Sequence, residues 1–143
     1  MNITELTVHE LQEKIKSKEL TITQIVEAYS AKIKEKESEI GAFITLQTDE
    51  AMEAAKKIDE KIAKGEEVSA LAGIPIGIKD IICTKGIRTT CGSKMLENFI
   101  APYDARVMEK INEQEMISLG KLNMDEFAMG SSTEHSYFKK TKN

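Results

Sequence analysis

The chain has 143 residues, of which 41% are hydrophobic and 31% charged, which suits one domain with a hydrophobic core. Its net charge of −4, from 20 basic and 24 acidic residues, argues against a basic nucleic-acid-binding surface on this segment. No apolar run approaches the roughly 20 residues of a membrane span, and the N-terminal residues lack a secretory-signal pattern. We therefore expect a cytoplasmic protein without membrane contact.

Helical patterns fill the first part of the chain. Thr7 with Glu10 has the form of a capping box, and a second helix starts either at Thr21, paired with Gln24, or one step in at Thr23. Apolar residues at helical spacing predict a third helix, with one face formed by Met52, Ala55, Ile58 and Ile62.

Two strand patterns with a helix between them follow. Isoleucines alternate with other residues along residues 74–79, which predicts a strand buried in a parallel or mixed sheet. Asp104 can cap a helix over residues 105–114, and residues 116–120 form a second short apolar strand. A strand, a helix and a strand in this order form a βαβ-like unit, expected to cross over right-handed.

Together these patterns predict an α/β fold in two parts. Residues 1–65 form an N-terminal helical segment. Residues 66–143 form the start of a mixed sheet flanked by helices. The two cysteines, Cys83 and Cys91, lack metal-site spacing and are expected to be free thiols, so no metal site is expected in this chain.

Lys79 is the residue that the pattern singles out for chemistry. It stands in an otherwise apolar strand, on the face it shares with Pro75 and Gly77, which leave space for another backbone or a substrate. Because burial disfavours an ammonium ion, a buried lysine here becomes a neutral amine that can act as a base. The alternative is a lysine at the strand end whose amine reaches water, or pairs with Asp80, although neighbours in a strand point to opposite faces.

A loop rich in small hydroxyl residues follows the second strand. Sites in α/β sheets gather beyond the carboxyl ends of strands, so residues 123–133 are a candidate pocket wall. The alternative is a surface loop held by its aromatic residues. Asp125 and Glu126 are neighbours and are poorly placed as a facing acid–base pair. The spacing between the serines of this loop and His135 is weak evidence for a catalytic triad.

Three stretches of the sequence resemble one known family. Residues 71–82, LAGIPIGIKDII, resemble the lysine-bearing strand of amidase-signature enzymes. Two further stretches, CTKGIRTTCGSKMLENFIAPYDA and GKLNMDEFAMGSSTEHS, more specifically resemble the A-subunit family of the aspartyl/glutamyl-tRNA amidotransferases. The resemblance runs through the whole chain and covers about the first third of such a protein.

The resemblance implies a glutaminase with a serine–cis-serine–lysine mechanism. Lys79 matches the family's lysine, which draws a proton through a bridging serine while a second serine attacks the amide carbon of glutamine and releases ammonia. Met129, Gly130 and Ser131 match the segment that lines the substrate pocket. In the family, ammonia passes to the B-subunit, which uses ATP and Mg²⁺ to activate Glu-tRNA(Gln) or Asp-tRNA(Asn), and the A-subunit is clasped by the C-subunit. No cofactor is expected in this chain itself.

The sequence departs from the family's pattern in three places. The family's GGSSGGS-type segment is not in this chain, so we expect the serines and the oxyanion hole to lie outside it and the chain alone to be inactive. Lys139 and Lys140 stand where the family has a Gly-Pro turn. Gln114 and Glu115 stand where it has small residues, which removes turn chemistry. A non-catalytic interaction fragment and an amidase for small amides are the alternative functions.

Overall fold

The computed structural model describes residues 2–143. Within that range four α-helices and three strands follow in the order α1 (Val8–Lys16), α2 (Ile22–Ile40), β1 (Phe43–Leu46), α3 (Thr48–Ala63), β2 (Pro75–Lys79), α4 (Arg106–Glu113) and β3 (Ile117–Leu122). Single 3-10 turns lie at Ile3–Glu5, Lys94–Leu96 and Glu126–Ala128. Of the helices in the described range, none combines the length and the hydropathy that crossing a bilayer requires.

The two predicted helix starts are confirmed. The Thr7 hydroxyl accepts a hydrogen bond from the Glu10 N–H at 3.3 Å, and the Glu10 carboxylate accepts one from the Thr7 N–H at 2.7 Å. Thr21 and Gln24 repeat this reciprocal arrangement, at 3.1 Å and 2.9 Å. These bonds satisfy N–H groups that a helix leaves unpaired at its first turn, so local sequence sets where α1 and α2 begin.

β3 is the central strand of a three-stranded sheet with the order β1–β3–β2. β1 pairs with β3 in the antiparallel direction. On the other side, the Ile117 N–H donates to the Ile74 carbonyl and the Asp80 N–H donates to the Leu122 carbonyl, both at 3.0 Å. The first bond joins the beginnings of the two strands and the second joins their ends, so β2 runs parallel to β3. The sheet is therefore mixed, as predicted.

β1 is an element that the sequence patterns do not predict. They assign the residues before position 66 to helices, whereas Phe43–Leu46 form a strand between α2 and α3. Periodicity cannot distinguish so short a run from the end of a helix. The strand patterns over residues 74–79 and 116–120 are confirmed by β2 and β3. The division of the chain at residue 65 stays a prediction.

The chain forms two compact units. The first runs to Glu35 and also includes Gln47–Ile76 and Ile111–Leu119. Its core contains the buried residues Leu11, Leu20, Ile25 and Ile74. The second unit consists of Lys36–Leu46, Gly77–Lys110 and Gly120–Asn143. Most of the buried polar residues of the described chain lie in the second unit, namely Asp80, Thr84, Thr89, Thr90, Ser93, Lys121 and Asp125.

The turn before β3, in the first unit, is held by side chains where turn chemistry was expected to be lost. Glu115 has a positive φ of 53°. Its carboxylate accepts hydrogen bonds from Lys61 Nζ at 2.6 Å and from the Ser69 N–H at 3.0 Å. The Ser69 hydroxyl donates to the Gln114 carbonyl. This chain therefore closes the turn with its own hydrogen bonds.

The segment near Lys139, in the second unit, is held in a similar way. Lys139 Nζ donates to the Glu37 carboxylate at 2.8 Å, and the Lys139 carbonyl accepts from the Asn123 amide at 2.9 Å. The Thr141 hydroxyl donates to the Gly41 carbonyl at 2.9 Å. A lysine thus occupies a defined place where the family's pattern has a Gly-Pro turn.

Candidate active site

Lys79 is the last residue of β2, and its side chain is exposed. Within residues 2–143 its amine forms no hydrogen bond or ion pair. The prediction that this lysine is buried is therefore wrong for this chain. Ile78 and Asp80 are both buried, whereas Lys79 between them points to solvent where the strand ends. The structure agrees with the alternative of a strand-end lysine that reaches water.

Asp80, next to Lys79 in the chain, is fully buried and is hydrogen-bonded through its backbone and side chain. Its Oδ2 accepts from the Thr90 N–H at 2.9 Å and from the Thr90 hydroxyl at 2.5 Å. Its carbonyl accepts from the Cys91 N–H at 3.2 Å, and its N–H donates to the Leu122 carbonyl at 3.0 Å. These four bonds fix the position at which β2 ends.

The buried lysine of this structure is Lys121, at 0% exposure. Its amine lies 3.7 Å from Asp80 Oδ1 and donates to the Ile82 carbonyl at 2.7 Å and to the Thr89 hydroxyl at 2.9 Å. Burial lowers the pKa of Lys121, and the charge of Asp80 opposes that shift. Asp80 Oδ1 accepts no hydrogen bond. Among the described residues, its only polar partner is the Lys121 amine, which attracts it by charge.

A turn over residues 90–92 (the 90–92 turn) joins the end of β2 to the loop that follows β3. Its Cys91 N–H donates to the strand end, as described above. The Cys91 carbonyl accepts from the Phe127 N–H at 2.9 Å, and the Gly92 carbonyl accepts from the Tyr137 N–H at 2.9 Å. The 90–92 turn is therefore hydrogen-bonded both to the end of β2, which carries Lys79, and to the loop that forms the candidate pocket wall.

The loop over residues 125–135 (the Asp125 loop) is built around the Asp125 carboxylate. This group accepts hydrogen bonds from the N–H groups of Ser132 at 2.9 Å, Thr133 at 2.9 Å and His135 at 2.8 Å. These bonds, with that from His135 the largest cause, lower the pKa of Asp125 to about 2. The side chain is buried, although the loop around it is mostly exposed. An acidic side chain therefore anchors the predicted pocket wall.

Met129, Gly130 and Ser131 are all exposed, and Met129 is 74% exposed. A β-carbon added to Gly130 would lie 2.4 Å from Cγ of Asp125, so the chain passes its anchor at a position without a side chain. Among the described residues, no hydrogen bond joins these three residues to Lys79. The 90–92 turn and the Asp125 loop form one backbone connection between these three residues and the strand that carries Lys79.

Sequence reasoning missed Asp80, Thr90, Lys121 and the anchoring role of Asp125. The Asp80–Lys121 pair joins residues far apart in the chain, and no local pattern reveals such a pair. A signal for Asp125 was available, because an aspartate before a run of glycine, serine and threonine is typical of a carboxylate that accepts loop N–H groups.

A family model described as amidase matches residues 24–143. All 143 residues align with the glutamyl-tRNA(Gln) amidotransferase A-subunit 2 of Clostridium acetobutylicum at 56% identity and with the glutamyl-tRNA(Gln) amidotransferase A-subunit of Thermoanaerobacter pseudethanolicus at 54% identity. The chain spans 30% and 29% of the lengths of those relatives.

A solved structure supports the same relationship. It is described as a vestigial protein complex that reveals the origins of an s-triazine catabolic enzyme. It matches with a TM-score of 0.91 and 32% identity, over 96% of this chain and 30% of that one. The family model thus covers most of the chain, and the fold agrees with that of a solved protein. This chain belongs to the amidase family.

Proposed function

We propose that this chain provides the lysine-bearing part of the glutaminase subunit of a tRNA-dependent amidotransferase. The observation that carries the proposal is the 56% identity to the Clostridium acetobutylicum relative over all 143 residues. The Lys79 amine is exposed and has no partner in the described chain, so another part of a longer protein can cover it in this proposal. Burial by that part would favour the neutral amine that a general base requires.

Lys79 is the general base of the proposed reaction. Its amine accepts a proton from a bridging serine, which in turn accepts one from a nucleophilic serine. The oxygen of the second serine attacks the amide carbon of glutamine, the carbon–nitrogen bond breaks, and ammonia leaves with the returned proton. Water then hydrolyses the acyl-enzyme ester to glutamate. Both serines and the oxyanion hole lie outside these 143 residues in this proposal.

Met129, Gly130 and Ser131 form the proposed wall of the glutamine pocket. They are exposed, they follow the carboxyl end of β3, and they belong to a loop with a buried anchor. A loop held in one conformation presents its backbone and hydroxyl groups at fixed positions, which suits a small polar substrate.

The proposed complex divides the remaining work between two other proteins. Ammonia passes to the B-subunit, where ATP and Mg²⁺ activate Glu-tRNA(Gln) or Asp-tRNA(Asn) for amidation, and the A-subunit is clasped by the C-subunit. The chain has a net charge of −4, which disfavours binding of the tRNA phosphates, so in this proposal other parts of the complex contact the tRNA. The activity belongs to protein biosynthesis in the cytoplasm.

A fusion protein tests this function. Residues 1–143 replace the matching part of the Clostridium acetobutylicum A-subunit 2, and the product is purified with the partner proteins of that organism's complex. We expect ammonia release from glutamine and conversion of Glu-tRNA(Gln) to Gln-tRNA(Gln), whereas residues 1–143 alone release no ammonia. A fusion protein that prefers small amides to glutamine would favour the small-amide amidase instead. An inactive but folded fusion protein would overturn the proposal.

A further inference from the structure

We infer that Asp80 and Thr90 are positioning residues, which together fix where Lys79 stands relative to the Asp125 loop and its proposed glutamine-binding residues. The inference rests on the proposed role of Lys79 as the base. Neither residue touches the reacting atoms in this account, because both side chains are buried, at 0% exposure, while the Lys79 side chain is exposed.

The Thr90 hydroxyl makes two bonds at the centre of this arrangement. It donates to Asp80 Oδ2 at 2.5 Å and accepts from the Gly92 N–H at 3.2 Å. The first bond holds the end of β2, and the second shapes the 90–92 turn. One hydroxyl group therefore couples the strand that carries Lys79 to the turn beside it.

The 90–92 turn passes this coupling to the loop. The Cys91 N–H donates to the Asp80 carbonyl, and the Cys91 carbonyl accepts from the Phe127 N–H, at 3.2 Å and 2.9 Å. Phe127 lies two residues before Met129. Two hydrogen bonds through Cys91 thus connect Asp80, the neighbour of Lys79, to Phe127, shortly before the proposed glutamine-binding segment.

Lys121 stabilises the Asp80 carboxylate, which accepts both hydrogen bonds from Thr90. Its buried amine stands 3.7 Å from Asp80 Oδ1, on the carboxylate oxygen that Thr90 does not use. A buried carboxylate with a nearby cation and two donors on its other oxygen has little freedom to rotate. The direction in which Asp80 holds the strand end is therefore well defined.

The loop has its own, separate anchor. Three N–H groups bind the Asp125 carboxylate, and none of those bonds involves Thr90 or Asp80. Loss of the Thr90 hydroxyl should therefore shift Lys79 relative to the Asp125 loop, while the bonds to Asp125 keep the internal conformation of that loop. A displaced base slows the chemical step, whereas an intact loop preserves substrate binding.

The test compares three threonine variants in the fusion protein. Thr90→Val should lower kcat by about 100-fold and change the KM for glutamine by less than about threefold. Thr90→Ser keeps the hydroxyl and should retain most of the activity. Thr84→Val is the control, since Thr84 is also buried and its hydroxyl donates to the Ile82 carbonyl at 3.2 Å, which keeps its bond from Lys121 Nζ at 2.7 Å in the variant. It should keep kcat, whatever its effect on Tm.

Several outcomes would overturn the inference. Equal losses of kcat in Thr90→Val and Thr84→Val would reduce Thr90 to a structural residue, as would a Thr90→Val variant that raises KM at unchanged kcat. If Thr90→Val does not fold, Thr90→Ala removes the same hydroxyl without adding an apolar group beside the carboxylate. Failure of the proposed function is recognised separately: the fusion protein with Thr90 intact would then be inactive, or would keep its glutaminase activity after Lys79→Ala. Failure of the inference about Thr90 changes neither of those two results.

Discussion

Gly130 passes so close to Asp125 that a β-carbon on the glycine would lie 2.4 Å from Cγ of the aspartate. The carboxylate cannot move aside, because three backbone N–H groups of the same loop donate to it. The proposed glutamine-binding segment is therefore built from one acidic side chain and one position that admits no side chain.

Gly130→Ala should weaken glutamine binding. The added methyl group has to displace either the Asp125 carboxylate or the segment itself, so we expect the KM of the fusion protein for glutamine to rise by about tenfold or more, equivalent to ~1.4 kcal/mol. Gly86→Ala is the control: apart from the chain neighbours, no atom lies within 4 Å of its added β-carbon, so its backbone strain at a φ of 76° should lower Tm and leave KM unchanged. Equal KM values for the two variants would show that the close approach at Gly130 does not shape the pocket.

Asp125 should make the Asp125 loop sensitive to acid. Its pKa falls from 3.8 to about 2 because the folded loop donates hydrogen bonds to the ionised form. The stabilisation is therefore complete above the unfolded value and is lost as the pH drops from about 4 to about 2. Hydrogen–deuterium exchange of residues 132–135, corrected for intrinsic rates, should accelerate across that window. In Asp125→Asn the same residues should exchange rapidly already at about pH 5 and show little further change at lower pH. A wild-type loop that is equally protected at about pH 4 and at about pH 2 would contradict this.

Lys121→Met should be strongly destabilising. It leaves the buried Asp80 carboxylate without its counter-charge, which typically costs about 3–5 kcal/mol. Adding Asp80→Asn removes that charge and should recover part of the loss. Denaturant unfolding of the single and double variants measures both effects. A single variant within about 1 kcal/mol of the wild type would mean that Lys121 does not balance Asp80.

Two small replacements of Glu115 should differ in their free energy of unfolding. Glu115→Ala loses the bonds to Lys61 and Ser69 but keeps the positive φ of 53°, so it should be less stable by about 1 kcal/mol. Glu115→Gly loses the same bonds but adopts that φ without steric cost, which offsets about 1 kcal/mol. Its free energy of unfolding should lie close to that of the wild type. A glycine variant less stable than the alanine variant would rule out backbone strain at this turn.

Local signals in the sequence predicted much of the fold. The reciprocal caps at Thr7 and Thr21 involve residues three positions apart, and short apolar runs indicated β2 and β3, although burial alternates along neither strand. β1 escaped because four residues between two helices carry too little periodicity. Boundaries set by local hydrogen bonds are thus readable, and short strands set by their partners are not.

The candidate site was less predictable, because it depends on contacts between distant segments. The pattern around Lys79 indicates an unusual lysine but not which face of the strand is covered. The buried lysine proved to be Lys121, whose partners Ile82 and Thr89 lie far from it in the chain. Motifs identified the stretches that matter, and only the three-dimensional structure assigns their contacts.

The most direct test of the account is the glutaminase rate of the fusion protein after Lys79→Ala, compared with Lys85→Ala. Both lysines are exposed, and each variant removes one positive charge, so the two variants have the same net charge. We predict that Lys79→Ala lowers kcat for ammonia release by about 1,000-fold or more, as expected for loss of a general base, while Lys85→Ala keeps the wild-type rate. Similar rates in the two variants would contradict the central claim that the Lys79 amine accepts the proton.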